Sequence, residues 1–258
     1  MIDSVVYGEI FTHSQYVSQK AKDGLVDQFR DQFEARPSVE MNRPDLRINL
    51  HIQNDQCTIS LDSSGVSLHQ RGYRTATNIA PLNDVLAAGL IQLSGWQGNT
   101  DFFDPMCGSG TIVIEAALFA CNIPVNINRK SFAFEKWKDW DEVLFETIKN
   151  SQLKKITNPN IQIKGSDKAP SAVEKALQNV ENANLSDFIS IEKKDFFQVE
   201  KETKGPLHLL TNPPYGERLE GDMNMLYQGI GDAFKQSFPN TQAWMISSNM
   251  EALKFVGL

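Results

Sequence analysis

Two short stretches hold residues whose types and spacing could do chemistry: TNPPYGERL at 211 to 219 and DPMCGSGT at 104 to 111. In the first, Pro213 and Pro214 fix two φ angles and remove two backbone donors, so the segment can neither continue a helix nor lie in a central strand. It must be a rigid turn. The side-chain oxygen of Asn212 and the carbonyl of Pro213 are two acceptors on that turn, held in place before any ligand arrives. An exocyclic amine on a nucleobase is a poor nucleophile, because its lone pair is delocalised into the ring. Acceptors at its two N–H groups favour a pyramidal nitrogen whose lone pair can attack, which is electrostatic preorganisation. Tyr215 offers a face on which the base could stack. Such a base must be unpaired or flipped from a duplex, at a cost of about a few kcal/mol. This chemistry requires no metal and no strong general base, since the nitrogen becomes acidic once alkylated. Alone, the motif reads equally well as a tight loop with Asn as a turn former.

The second stretch lies between a strand, DFFDP at 101 to 105, and a helix, SGTIVIEAALFAC at 109 to 121. Gly108 and Gly110 let the backbone approach a ligand closely, and the helix start offers free N–H groups. The dinucleotide fingerprint would place a third glycine at 113, where the chain has Val113, so a nicotinamide cofactor is disfavoured. Asp104 would repel a pyrophosphate but welcome a cationic amino-acid moiety. S-adenosylmethionine fits, having an ammonium, a sulfonium and a ribose but no phosphate. Asp167, followed by Lys168, ends the next strand and is placed to accept from both ribose hydroxyls. It lies 57 residues beyond Gly110, against a usual offset of about 20, and an insertion at 122 to 160 accounts for the excess. Asp195 is placed to meet the adenine amino group, with Phe196 beside the ring. Each carboxylate alone is more often a surface or capping group; three at consecutive strand ends point to a ligand.

These residues need a scaffold. DFFDP, IQIKGSD (161 to 167), FISIEKKDFF, LHLLTNPP and QAWMISSN read as strands. Helical segments alternate with them, among them APSAVEKALQNVENA, with Val173, Ala176, Leu177 and Val180 on one face. Short connections in this rhythm imply a parallel sheet covered by helices on both sides. The segment APLNDVLAAGLIQLSGW begins a further helix with Pro81 in its first turn. Earlier, Ser14 to Phe33 carries Val17, Ala21, Leu25, Val26 and Phe29 at helical spacing. RINLHIQ (47 to 53) and CTISLD (57 to 62), separated by NDQ, read as a hairpin. Within the insertion, a helix is expected around DWDEVLFETIKN.

The chain has 258 residues, 41% of them hydrophobic, enough for one large domain with a smaller companion. No apolar run approaches the length of a membrane span, and the start lacks a basic leader followed by an apolar stretch, so a cytosolic home is expected. Three cysteines, Cys57, Cys107 and Cys121, suggest neither a disulfide framework nor a zinc site. A net charge of −7 argues against nucleic-acid binding through a general positive field. Local patches would be needed: Arg43 with Arg47, Arg71 with Arg74, and RKSFAFEKWK at 129 to 138. For each, a solvated face with anchoring aromatics is the plainer reading.

DPMCGSGT together with TNPPYGERL resembles the THUMP-linked RNA methylases, whose members include bacterial 23S ribosomal RNA guanine-N2 methyltransferases. The similarity runs through RINLHI, the SLHQRGYR junction and APLNDVLAAGLI. It implies an α/β fold: a Rossmann-like class I methyltransferase sheet at 71 to 258, after a small α+β THUMP-like RNA-binding portion at 1 to 70. It implies that Asp104, Pro105, Cys107, Gly108, Ser109, Gly110 and Thr111 form the cofactor loop. Asp167, Lys168, Asp195 and Phe196 would contact ribose and adenine, Asn212, Pro213, Pro214 and Tyr215 would form the catalytic loop, and Pro81 would lie near the methionine end of the cofactor. The implied partner is RNA, at guanine N2 of 23S ribosomal RNA. Adenine N6 of DNA or RNA is the alternative, because the same loop serves any exocyclic amine; a fragment that binds RNA without turnover is the alternative of another class. Pyrimidine C5 methylation would need a nucleophilic cysteine, and Cys107 reads as a packed small residue instead. The resemblance covers only the latter part of a THUMP domain and stops before the family's last antiparallel strand pair.

Overall fold

A computed structural model describes residues 1–42, 44–74, 81–214 and 223–257, so Arg43 and Tyr215 lie outside the described residues. The chain forms two compact units, one of residues Met1–Ser67 with Arg129–Glu146 and the other of Leu68–Asn128 with Thr147–Leu258.

In the first unit, β1 (Ile2–Tyr7), α1 (Ser14–Phe33), β2 (Ile48–Gln53) and β3 (Gln56–Leu61) follow in order. β1 is parallel to β2, and β2 antiparallel to β3. The hairpin has a two-residue turn in which Asn54 takes φ 55°, a left-handed conformation that Asn tolerates. Val17 of α1 packs on Leu50 and Ile52, with Ile2, Val6, Ala21 and Ile48 around them. Leu25 and Phe29 share the helical stripe on paper but are exposed. β1 is an addition to the expected helix and hairpin, since Asp3 and Ser4 interrupt its apolar alternation.

Residues 129–146 carry the anchoring aromatics of the plainer reading. Instead of a free basic patch, Arg129 donates to the carbonyls of Ser64 (2.9 Å) and Val66 and lies over the Phe132 ring. Phe134 N donates to Ser63 O at 3.1 Å. Phe132, Phe134, Trp140 and Phe145 form an aromatic cluster. Residues 129–146 of the segment expected to interrupt the second domain thus pack with the first 67 residues.

The second unit is built on a five-stranded sheet, ordered β6-β5-β4-β7-β8 and parallel throughout. Its strands are β4 (Asp101–Asp104), β5 (Ile163–Asp167), β6 (Ile189–Lys193), β7 (Leu207–Thr211) and β8 (Thr241–Met245). The helices are α2 (Asp84–Leu93), α3 (Thr111–Ala120), α4 (Glu142–Leu153, which begins in the first unit), α5 (Pro170–Asn182), α6 (Met223–Gln236) and α7 (Met250–Leu253). Neighbouring residues in β4 point to opposite faces, as the period of two requires. Phe102 joins the core of α2, α3 and α5, whereas Phe103 joins that of α6 and α7. The strand order reverses between β4 and β7, and a crevice at such a switch point is where open α/β sheets bind ligands.

Two helix expectations change. Pro81 is not in the first turn of α2: the Asn83 side chain accepts from Val85 N (2.9 Å) and Leu86 N (3.2 Å), so this N-cap starts the helix after the proline. On α5 the buried positions are Ala172, Ala176, Asn179 and Val180, and Leu177 is exposed. An asparagine takes the place of a leucine in the buried stripe.

Candidate active site

The carboxyl ends of β4 and β7, neighbours in the sheet, carry the two motifs. Asp104 closes β4 and is 1% exposed. Its Oδ1 accepts from Thr211 Oγ1 at 2.8 Å and from Met106 N at 3.2 Å. Burial pushes its carboxyl up to about 7; the negative charge of Asp167 adds to the rise, and the two hydrogen bonds oppose it. Asp104 is therefore no surface carboxylate awaiting a ligand but a brace between two loops, and any effect on a cationic ligand acts through its field.

The glycine loop is fastened from several directions. Cys107 N donates to Ser166 O (2.9 Å), Gly110 N to Cys107 O (2.8 Å), and Ser166 Oγ to Pro105 O (3.3 Å). Gly108 and Gly110 have φ of 56° and 85°, conformations a side chain would strain. A Cβ on Gly110 would also come within 3.3 Å of the Ala176 Cβ. Asn179, fully buried, donates through Nδ2 to Ser109 O at 3.0 Å. Burial pushes the Cys107 thiol well above its ordinary value, so it is no nucleophile.

Asp167 Oδ2 accepts from Gly108 N (3.0 Å) and Oδ1 from Ala169 N (2.9 Å), which ties the end of β5 to the loop; Lys168 beside it is exposed. Asp195 caps a short 3-10 turn, accepting from Phe197 N at 3.1 Å. Phe196 departs from expectation. Its ring is 3% exposed and packs on Phe234 and Phe238, because the turn points it into the core, so it offers no face to an adenine. Phe197, next to it, is 47% exposed.

Thr211 ends β7, and Ile246 N donates to its carbonyl at 3.1 Å. Asn212 follows, half-buried, with Pro213 buried and Pro214 exposed. The Asn212 Oδ1 is shielded from solvent and has no hydrogen-bond partner among the described residues. A buried acceptor left unpaired costs about 1–3 kcal/mol, so this atom is suited to receive a donor from a ligand.

Arg71 and Arg74, candidates for a basic patch with a solvated face as the plainer reading, are neither: both are internal. Arg71 forks onto Glu115 (3.1 and 3.3 Å), and Arg74 pairs with Asp84. Arg47 is also engaged, with Asp3 and Asp62. Sequence reasoning missed Thr211, Asn179 and Arg74 as parts of the site. The one available signal was the polar Asn179 at an apolar helical position. A cavity lined by Phe103, Val199, Leu207 and Phe238 shares no residue with either motif. No helix among the described residues is long and apolar enough to cross a membrane, and these residues contain no cluster of metal-ligating side chains.

Residues 71–258 match the model of the family described as the RMKL-like methyltransferase domain, and residues 4–62 match the THUMP domain. The ribosomal RNA large subunit methyltransferase K/L of Shewanella frigidimarina is 38% identical over 97% of this chain, which spans 36% of that protein. The chain thus spans about a third of the length of this curated relative. The crystal structure of SMU.472, complexed with SAH, superposes with a TM-score of 0.84 at 30% identity, covering 99% of this chain and 68% of that one. A protein from Listeria monocytogenes str. 4b F2365, titled a predicted N6-adenine-specific DNA methylase, gives 0.84 at 27% identity, covering 99% and 67%.

Proposed function

The chain belongs to the RMKL-like methyltransferase domain family, and from that premise we propose that it methylates an exocyclic amine of an unpaired RNA base, guanine N2 of large-subunit ribosomal RNA. The observation that carries this reading is the buried Oδ1 of Asn212, which has no partner among the described residues, on a proline-locked turn beside the glycine loop. That oxygen accepts one N–H of the amine and the Pro213 carbonyl accepts the other, leaving the lone pair directed out of the ring plane. Tyr215 is assigned the stacking role on sequence grounds alone.

The residues present fit S-adenosylmethionine. Gly108 and Gly110 take left-handed backbone conformations that turn the loop into the start of α3, whose N–H groups are free, and Asp104 and Asp167 give a negative field suited to a cation. Asp167 is assigned to the ribose and Asp195 to the adenine amine by the family resemblance. This cofactor, when bound, would supply an electrophilic methyl group on a sulfonium, with the thioether as leaving group and the amine proton passing to water; Asn212 and Pro213 would orient the attacking amine. The SAH complex of SMU.472 supports the same cofactor here. The THUMP match favours RNA as substrate, and the K/L relatives favour ribosomal RNA.

Adenine N6 is the second reading. The Asn212 and Pro213 acceptors serve any exocyclic amine, and the Listeria protein is described as specific for that target in DNA. Transfer from labelled cofactor to undermodified 23S ribosomal RNA, followed by nucleoside mass spectrometry, decides. N2-methylguanosine upholds the proposal, N6-methyladenosine replaces it with the second reading, and no transfer to RNA rejects the proposal and leaves the second reading to the same assay on unmethylated DNA.

A further inference from the structure

We propose that Arg74 is a positioning residue for the glycine loop, clamping the start of α3 to the start of α2 and so fixing Ser109 and Thr111 in the shape that receives the cofactor. Its Nη2 donates to Thr111 Oγ1 at 3.0 Å and to Leu82 O at 3.3 Å, and its Nη1 reaches Ser109 Oγ at 3.5 Å. The same guanidinium forms an ion pair with Asp84, whose side chain is 5% exposed.

The clamp is itself held. Tyr73 OH donates to Asp84 Oδ1 at 3.1 Å, and Asn182 Nδ2 donates to Tyr73 O at 3.1 Å. Nη2, with two protons, is shared among Thr111, Leu82 and Asp84 while Nη1 of the same rigid plane turns to Ser109; an ammonium is a single point of charge on a flexible stem and does not span both sides. Asp84 has a second effect. It neutralises the guanidinium, so a cationic ligand in the adjoining loop meets no bare positive charge.

This inference rests on the cofactor reading above, and its test separates the two. Arg74→Lys and Arg71→Lys are compared with wild type by calorimetric titration with SAH and by amide hydrogen exchange at residues 107–111. Arg71 is the control, because its fork to Glu115 touches no residue of the glycine loop. Arg74→Lys should weaken SAH binding by about tenfold or more, the scale of a lost charge-assisted hydrogen bond, and should speed loop exchange. Arg71→Lys should stay within about twofold of wild type in affinity, as a contact outside the loop. Unchanged affinity and exchange in Arg74→Lys, or an equal loss in Arg71→Lys, would overturn the assignment. If wild type does not bind SAH, the cofactor reading falls, and loop exchange alone then decides whether Arg74 holds the loop.

Discussion

Thr211 and Asp104, each at most 1% exposed, face each other across the switch point of the sheet, with the threonine hydroxyl donating to the aspartate at 2.8 Å. One hydrogen bond therefore couples the strand end that leads into Asn212 to the strand end that leads into the glycine loop. Removing it should disturb both loops. Thr211→Val keeps the shape and deletes the donor, leaving a buried carboxyl one partner short. The expected cost is about 1–3 kcal/mol, read by urea unfolding, together with slower transfer. A variant as stable and active as wild type would deny the bond any bracing role.

Asp104 should also give the apoprotein an unusual pH dependence. Its folded value of about 7 lies above the roughly 3.9 of an unfolded aspartate. Its stabilising contribution is therefore complete below pH ~4 and lost as pH rises through 7, with a slope of up to about 1.4 kcal/mol per pH unit. Glu115, pushed by burial up to about 6, adds to this slope at its acidic end. His208 acts oppositely, because burial holds it below its ordinary value. Asp104→Asn should flatten the decline between pH 6 and 7, as measured by thermal unfolding.

The same group predicts linkage with the cofactor. Binding a cation near Asp104 lowers its proton affinity, so binding should release a proton and tighten with rising pH. Affinity for S-adenosylmethionine should be up to about tenfold higher at pH 8 than at pH 6, and independent of pH over this range in Asp104→Asn. Calorimetry in buffers of different ionisation enthalpy measures the released proton directly.

Asn212→Ala removes the buried acceptor without altering the prolines. Transfer should fall by about 100-fold or more, the usual scale for a lost preorganised polar group, while SAH affinity stays within about threefold. A collapse of SAH binding would assign Asn212 to the cofactor instead of the substrate amine.

Gly110→Ala tests the packing of the glycine loop on α5. Alanine at φ 85°, with a Cβ 3.3 Å from Ala176, is strained and crowded. A loss of about 1–2 kcal/mol is expected from the left-handed backbone alone, with SAH binding lost. Unchanged unfolding would show that α5 can yield.

Much of this arrangement was legible beforehand. DFFD and LHLL are short apolar runs, and a buried parallel strand needs little else, so the strand ends, the glycine loop and the NPP turn could be placed in order along the chain. Helix α1 appears over the residues its periodicity indicates, Ser14–Phe33. What escaped the reading depends on partners distant in sequence. Arg71, Arg74 and Arg129 look like a nucleic-acid surface in a linear chain, yet each is consumed by an acid, carbonyl or ring up to 65 residues away. Phe196 and Phe197 are identical in type, and only the 3-10 turn after Asp195 decides which is buried.

Local spacing and backbone chemistry thus determined the turn at Pro213, the left-handed glycines and the alternation of strands and helices, because each depends on neighbours within a few residues. Only the tertiary structure decided that Thr211 meets Asp104, that Arg74 grips the glycine loop and that the Asn212 oxygen is buried without a described partner. Those outcomes depend on strand order and on desolvation, which are properties of the packed sheet and not of any segment.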